Sequence, residues 1–179
     1  CGIKYRILPD NIGYIYVPTF ENAVGSGNLD AIFYHLSLCD GIIVDVRNNE
    51  GGMLTTAQDL AGSFINEKTT VGYISHKTSK SHNAFSSPEP ITIYPSEGMR
   101  CQKPVVVLTN RKTYSAANAF VSYMKDLPQV TIVGDKTGGG AGLPFSNELP
   151  NGWSVRFSAC PTYDIHMKST EGGIVPDYK

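Results

Sequence analysis

Apolar residues follow two different spacings along this chain, and these spacings predict alternating strands and helices. Runs rich in β-branched residues at 12–17, 41–46, 104–108 and 130–133 predict strands. The run PVVVL at 104–108 is typical of a strand that is buried on both faces of a mostly parallel sheet. Apolar residues three and four positions apart predict helices that include 29–36, 57–65 and 116–127, and Pro128 stops the last of them. This order predicts an α/β fold.

Three further segments add to the predicted sheet structure. Residues 70–75 and 91–94 favour short strands, and an Asn-Gly pair at 151–152 predicts a β-hairpin between 145–149 and 153–158. Such a hairpin would wall one side of a substrate groove. The glycine run at 138–142 is not followed by a helical pattern, and Pro144 comes soon after it, which disfavours a phosphate-binding loop.

Ser115 lies where a predicted strand passes into a predicted helix. Unpaired backbone N–H groups and the positive end of the helix dipole favour negative charge at such a position. The same electrostatics stabilise the oxyanion of acyl transfer, so this serine is suited to act as a nucleophile. Ser and Thr are also common helix N-caps, and a structural cap at Ser115 or Thr113 is the alternative that this pattern leaves open.

A second strand-to-helix turn, upstream of the first, contains the paired glycines Gly51 and Gly52. Glycine tolerates positive φ and lets backbone N–H groups approach a ligand closely. The alternative is a tight turn with no ligand. Together, the two turns favour a catalytic site over two unrelated structural features.

Four motifs resemble those of C-terminal-processing (tail-specific) serine peptidases and their tricorn-like relatives, and they occur in the same order. They are DVRNNEGG at 45–52, TYSAA at 113–117, VGDKTGG at 133–139 and GIVPD at 173–177. The resemblance runs from about residue 13 to residue 177 and implies a crotonase-like or ClpP-like core of repeated ββα units. It also implies that Ser115 is the nucleophile and that the amides of Ala116 and of Gly51 or Gly52 form the oxyanion hole.

One departure from the family pattern concerns the general base. In the processing-protease branch the base is a lysine in a Thr-x-Gly-Lys-Gly loop, and Gly140 stands at that position here. A glycine cannot accept the hydroxyl proton, which disfavours a Ser-Lys dyad, and Lys136 lies on the wrong side of the glycine turn. The chain therefore resembles the tricorn-like branch, in which a histidine well before the nucleophile is the base and a glutamate and a second serine support it.

The four histidines do not identify that base. The patterns place His35 on a helix surface and His76 and His82 in a solvated loop, whereas His166 lies in the C-terminal segment and could approach the site. In the tricorn-like branch the histidine precedes a PDZ-type domain, which itself precedes the core. We therefore expect residues 1–179 to be a single peptidase core domain of a longer protein with an upstream helical and PDZ-type region.

Two polar residues are candidates for a supporting role. Glu171 comes just before the GIVPD motif, which makes it the candidate for the supporting carboxylate, with a solvated turn glutamate as the alternative. Asn118 stands where relatives often carry glutamate. An amide makes hydrogen bonds but does not accept a proton, so we expect only a hydrogen-bonding role there.

Charge and cysteine content limit the kinds of partner and ligand that we expect for this chain. Fifteen basic and sixteen acidic residues give a net charge of -1, and no basic cluster with interleaved aromatics indicates nucleic acid. Cys1, Cys39, Cys101 and Cys160 lack zinc-type spacing and permit three full pairings, so we expect no metal and no cofactor. No apolar stretch of the sequence is long enough to cross a membrane. The bacterial proteases that the chain resembles act largely in the cell envelope, which favours a periplasmic or exported location; no oligomeric state is predicted.

These features favour the core of a serine peptidase that hydrolyses peptide bonds through an acyl-enzyme, with a polypeptide or peptide as substrate. Processing or degradation of protein C-termini or peptides is the activity that the resemblance implies. The alternative is a non-catalytic peptide-binding or scaffold module that kept the fold after losing its base. A crotonase-type acyl-CoA enzyme would share the fold but would leave the serine motif unexplained.

Overall fold

The computed structural model describes residues 2–22 and 25–179 and contains alternating strands and helices. Its α-helices are α1 (Ser26–His35), α2 (Leu54–Gly62) and α3 (Ala116–Lys125). Its strands are β1 (Lys4–Leu8), β2 (Ile12–Tyr16), β3 (Gly41–Asp45), β4 (Thr69–Ile74), β5 (Glu89–Ile93), β6 (Val105–Thr109), β7 (Val130–Gly134), β8 (Pro144–Glu148), β9 (Ser154–Ser158) and β10 (Thr162–Tyr163). The predicted α/β class is confirmed, and β1, β2 and α1 form a ββα unit at the start of the chain.

The main sheet has five strands in the order β1-β2-β3-β6-β7. Strands β2, β3, β6 and β7 are parallel, as predicted, and β1 pairs antiparallel with β2 at one edge. The carboxyl ends of the parallel strands meet at one edge of the sheet, where ligands commonly bind in α/β folds. Both strand-to-helix turns singled out in the sequence leave the sheet at this edge, after β3 and after β6.

One face of the main sheet packs against the helices and forms the core. In β6, Val105 and Val107 are buried on that face, whereas Val106 and Leu108 on the opposite face are only half-buried. The prediction that this strand is buried on both faces is therefore wrong. In the described part of the chain, the helices lie on one side of the sheet. Burial of one face requires apolar residues only at alternate positions, whereas this run is apolar at every position.

A second, smaller sheet lies on the other side of the helices. Its strand order is β10-β4-β5, and α3 contacts both β7 of the main sheet and β4 of this one. Strand β5 begins at Glu89, two residues before the predicted start, and includes Pro90, which is tolerated because β5 is an edge strand. The predicted hairpin is present as β8 and β9, which pair with each other antiparallel.

The three cysteines of the described residues have free thiols. Cys39 and Cys101 are buried free thiols and Cys160 is a half-buried one, while Cys1 lies outside the described residues. No helix in the described ranges has the length and apolar character needed to cross a membrane. Within those same ranges, no group of three or more metal-ligating side chains comes together.

Candidate active site

Ser115 joins β6 to α3 in a strained backbone conformation. Its φ of 55° and ψ of -122° are rare for any residue other than glycine. Its N–H donates to the carbonyl of Gly139 at 2.8 Å, and its carbonyl accepts the N–H of Ala119 at 2.9 Å. The half-buried side chain makes no capping hydrogen bond to the helix. The hydroxyl therefore does not act as the N-cap that was the alternative to a nucleophile.

Hydrogen bonds hold the serine turn directly against the glycine turn. The N–H of Tyr114 donates to the carbonyl of Asn49 at 2.9 Å. The hydroxyl of Thr113, which is fully buried, donates to the carbonyl of Val46 at 2.9 Å. Two separate segments of the chain are thus fixed side by side. This contact brings the predicted nucleophile to the predicted oxyanion glycines.

One amide of the glycine pair is free and the other is engaged. Gly51 and Gly52 have φ values of 109° and 137°. The N–H of Gly51 donates to Oδ1 of Asn49 at 2.9 Å and is therefore already engaged. Among the residues that the structure describes, the N–H groups of Gly52 and Ala116 have no hydrogen-bond partner. These two amides are available to bind an oxyanion.

An ion pair between the buried carboxylate of Asp45 and the exposed guanidinium of Arg47 lies at the start of the glycine turn. Asp45 is the last residue of β3. It accepts hydrogen bonds from Nε of Arg47 at 2.9 Å, from Nη2 of Arg47 at 2.6 Å, and from the hydroxyl of Tyr14 at 2.7 Å. Burial acts to raise the pKa of this carboxyl, but the hydrogen bonds from Arg47 and Tyr14 outweigh it and hold the pKa below its usual value. The pair lines a separate cavity of about 530 Å³ beside β1.

Ser115 opens into a cavity of about 310 Å³ at the base of the β8–β9 hairpin. The hairpin therefore walls one side of the site, as predicted. The cavity is lined by Tyr114, Ser115, Gly140, Pro144, Arg156, Phe157 and Ser158.

Glu171 reaches this cavity through a second serine. The hydroxyl of Ser158 donates to Oε1 of Glu171 at 2.6 Å, and the backbone carbonyl of Glu171 accepts the N–H of Gly140 at 3.1 Å. Sequence reasoning did not single out Ser158. The only signals that could have found it were its place at the end of the predicted hairpin and the second serine of the family pattern.

Tyr114 occupies the space that the missing lysine would need. Gly140 has a φ of 76°, and a Cβ atom on it would overlap the ring of Tyr114. A lysine side chain at position 140 would require both a strained backbone and a displaced tyrosine. The ring of Tyr114 thus excludes, by its position, the lysine side chain that a Ser-Lys dyad would need at position 140. Sequence reasoning missed this role of Tyr114.

None of the four histidines lines the Ser115 cavity in the described part of the chain. His35 lies in α1 and contacts the ring of Tyr5, and His82 is in an exposed loop. His76 lies near Cys160, with Nδ1 and Sγ 3.7 Å apart. His166 binds Asp126, just beyond the last turn of α3, whereas Ser115 is at the first. A helix of ten residues is about 15 Å long, which separates His166 from the serine.

Asn118 makes only hydrogen bonds, which join three segments around the site. It is fully buried, accepts a bond from Thr137 Oγ1 at 2.6 Å and donates to the carbonyl of Thr170 at 3.2 Å. The same Thr137 hydroxyl accepts the N–H of Ile174 at 2.6 Å. Helix α3, the glycine loop and the C-terminal segment are thereby held in register.

The chain is similar to known peptidases in sequence and in fold. The sequence profile of peptidase family S41 matches residues 11–179. A crystal structure assigned to a peptidase of Parabacteroides merdae has a TM-score of 0.94 and 51% identity, covering 99% of this chain and 56% of that one.

Two curated relatives are more distant in sequence. A carboxyl-terminal-processing protease of Synechocystis sp. is 30% identical over 77% of this chain and 30% of its own length. A carboxy-terminal processing protease of Bacillus subtilis is 25% identical over 94% of this chain and 36% of its own length. The chain thus spans about a third of the curated relatives that it matches. Since the family profile covers nearly all of its residues, the chain belongs to peptidase family S41.

Proposed function

We propose that this chain is the core of a serine peptidase in which Ser115 is the nucleophile. The observation that carries this proposal is the uncapped hydroxyl of Ser115 at the start of α3, next to the unpaired amide of Ala116, with the glycine turn and its unpaired Gly52 amide packed against this segment through Gly51. Oγ attacks the peptide carbonyl while its proton passes to a base, and the two amides bind the resulting oxyanion. Collapse of this intermediate breaks the C–N bond. The leaving amine takes the proton, and water then hydrolyses the acyl-enzyme.

The Ser158–Glu171 pair is proposed to support this chemistry. Its hydrogen bond lies at the wall of the cavity into which Ser115 opens, and the backbone of Glu171 is tied to Gly140 of the glycine loop. A carboxylate there can orient a base or a water molecule through the Ser158 hydroxyl. Glu171 is in this scheme a positioning residue, because it acts through another group.

The general base is proposed to come from sequence outside this chain. The support is that no histidine lines the Ser115 cavity in the described residues, and that this chain covers 56% of the Parabacteroides structure and a smaller share of the curated relatives. Residues 1–179 would then be a single core domain. An upstream helical and PDZ-type region of the longer protein would supply the imidazole.

A fluorophosphonate probe tests the nucleophile in the intact natural protein. An activated Ser115 should be labelled, and Ser115→Ala should abolish the labelling without unfolding the protein. Ser87→Ala is the matched control, because Ser87 is an exposed serine far along the chain from the site. Equal labelling of the wild type and Ser115→Ala would contradict the proposal. Tryptic mapping of the adduct identifies the modified residue.

No histidine of the described residues lines the cavity, and this favours a second candidate function, a peptide-binding or scaffold module without catalysis. The two candidates differ in one measurement. A scaffold would bind peptides in the intact protein but leave Ser115 unlabelled and substrates uncut. Processing or degradation of protein C-termini is the activity we expect if labelling occurs, and a peptide bearing a free C-terminus, compared with its amide, is the substrate to test.

A cell-envelope location is a separate proposal, which rests on the resemblance to the processing proteases. Fractionation of the source cells, with a cytoplasmic enzyme and an envelope protein as markers, tests it. Recovery with the cytoplasmic marker would contradict it.

A further inference from the structure

The β8–β9 hairpin carries an exposed apolar face. The paired residues of the two strands alternate between its two faces, and one face carries apolar side chains with Asn147 as its one polar member. Exposed fractions of the apolar side chains range from 40% for Val155 to 71% for Trp153. We call this set the apolar hairpin face; it consists of Phe145, Leu149, Trp153, Val155 and Phe157. Single exposed apolar residues are ordinary, but five on one face indicate a binding surface.

The apolar hairpin face meets the Ser115 cavity at one residue. Phe157 belongs to the face and also lines the cavity. Its ring lies 6.5 Å from that of Phe145, so the apolar surface extends outward from the cavity wall along the hairpin. The opposite face is polar and carries Ser158, which binds Glu171. Pro144 and Arg156, which also line the cavity, belong to this polar face, so Phe157 is the point at which the apolar face reaches the cavity.

One edge of β9 also has free backbone groups. In the described residues, β8 and β9 pair only with each other. The N–H of Leu149 bonds the carbonyl of Trp153, so in this antiparallel ladder the backbone groups of Ser154, Arg156 and Ser158 point away from β8. Two of these residues, Arg156 and Ser158, line the Ser115 cavity. An extended peptide can add to this edge as a third strand.

We propose that this edge and the apolar hairpin face together bind an extended polypeptide substrate that carries apolar residues at every second position beside the scissile bond. A strand paired with β9 turns alternate side chains toward the face that holds Phe157, Val155 and Trp153. The other side chains turn toward the polar face. This inference rests on the proposed function for its occupant, because Arg156 and Ser158 of the free edge and Phe157 of the face all line the Ser115 cavity, which identifies the occupant as substrate.

The fluorescence of Trp153 reports binding directly, because Trp153 is the single tryptophan in the sequence and lies on the apolar hairpin face. The probe is a short, neutral, capped peptide in which phenylalanine, valine and leucine alternate with serine. A peptide of the same composition with the apolar residues contiguous is its control. Binding is measured to residues 1–179 carrying Ser115→Ala, in which Trp153 is the one tryptophan and no cleavage is required. We expect a blue shift of Trp153 emission and protection from iodide quenching with the alternating peptide only.

Variants of the face test the assignment. Phe145→Ser should weaken binding of the alternating peptide about tenfold, because one exposed aromatic contact is lost. Val155→Thr keeps the shape and branching of the side chain, so it folds even if the first variant does not, and should weaken binding about threefold. Leu38→Ser is the matched control, since Leu38 is 86% exposed but lies just after α1.

Three outcomes would overturn the inference. They are equal binding of the two peptides, unchanged binding by both face variants, and Trp153 already shielded from iodide before peptide is added. Shielding that disappears on dilution would assign the face to a second copy of the chain. Fluorophosphonate labelling tests the peptidase proposal separately, because it does not depend on the hairpin variants. Absence of labelling would contradict that proposal alone.

Discussion

Gly51 packs directly against Ser115. A Cβ atom placed on Gly51 would lie 2.7 Å from the Cβ of Ser115 and 2.9 Å from the N atom of Ala116. Both are closer than real Cβ contacts, so only glycine allows the two turns to approach this far. The requirement for glycine at position 51 is therefore steric, since the amide of Gly51 is bound to Asn49 and is not free for an oxyanion.

Gly51→Ala should disrupt the site. The added methyl group combines a positive φ with two backbone clashes, and we expect a loss of about 2–4 kcal/mol in unfolding free energy together with loss of fluorophosphonate labelling. Gly152→Ala is the matched control, because Gly152 also has a positive φ, 83°, but no atom lies within 4 Å of its added Cβ. It should lose only about 1 kcal/mol and keep labelling. Urea unfolding measures both, and equal losses would contradict the steric explanation.

Backbone strain at Ser115 should be visible in a comparison of two inactive variants. Ser115→Ala keeps a Cβ atom at φ 55° and ψ -122°, whereas Ser115→Gly relieves it. The relief of about 1–3 kcal/mol exceeds the entropic penalty of glycine, so Ser115→Gly should be more stable by about 1 kcal/mol. Thermal or urea unfolding of the two proteins gives the difference. A less stable glycine variant would show that the conformation carries no strain.

The buried hydrogen bonds of Asn118 should stabilise the site as a unit. Asn118→Ala leaves the Thr137 hydroxyl and the Thr170 carbonyl without this partner, and we expect a loss of about 1–3 kcal/mol. Thr137→Val removes the central hydroxyl while keeping its shape. The double variant should lose less than the sum of the two single losses, because both variants break the same bond. Strict additivity of the urea unfolding free energies would contradict this coupling.

The Asp45–Arg47 pair should make stability depend on acid pH. A carboxyl whose folded pKa is lowered stabilises the protein above its unfolded pKa and loses that contribution as pH falls through the folded value. For Asp45 the contribution should therefore be complete above the ordinary value of 3.8 and disappear below it. Arg47→Met removes the main hydrogen bonds that lower this pKa and leaves burial to raise it. The loss of stability that Asp45 causes as pH falls below its ordinary value should therefore shrink or reverse in this variant.

Urea unfolding across this acid range measures the effect. In an Asp45→Asn background, Arg47→Met should not move the pH profile, because the titrating group is gone. A profile that shifts equally in both backgrounds would assign the dependence to another carboxyl.

Local patterns were sufficient to predict most of the fold. The strands β2, β3, β6 and β7 and the three helices follow from residue spacing, because each buries one face against a common core. Strand β1 was missed. Its first four residues are exposed and it lies at the sheet edge, so burial left little pattern in its sequence. The prediction that β6 is buried on both faces was wrong, because a run of valines does not specify how many layers cover a sheet.

The positions of Ser115 and the glycine pair at two chain reversals follow from residue order, because a strand followed by a helix fixes a reversal and the dipole at its end. Which groups surround them follows from the packing of the folded chain. The engaged amide of Gly51, the ring of Tyr114 over Gly140 and the bond between Ser158 and Glu171 join residues far apart along the chain. Such contacts depend on how separate elements pack. The spacing of residues in one element carries no information about the side chains that another element brings to it.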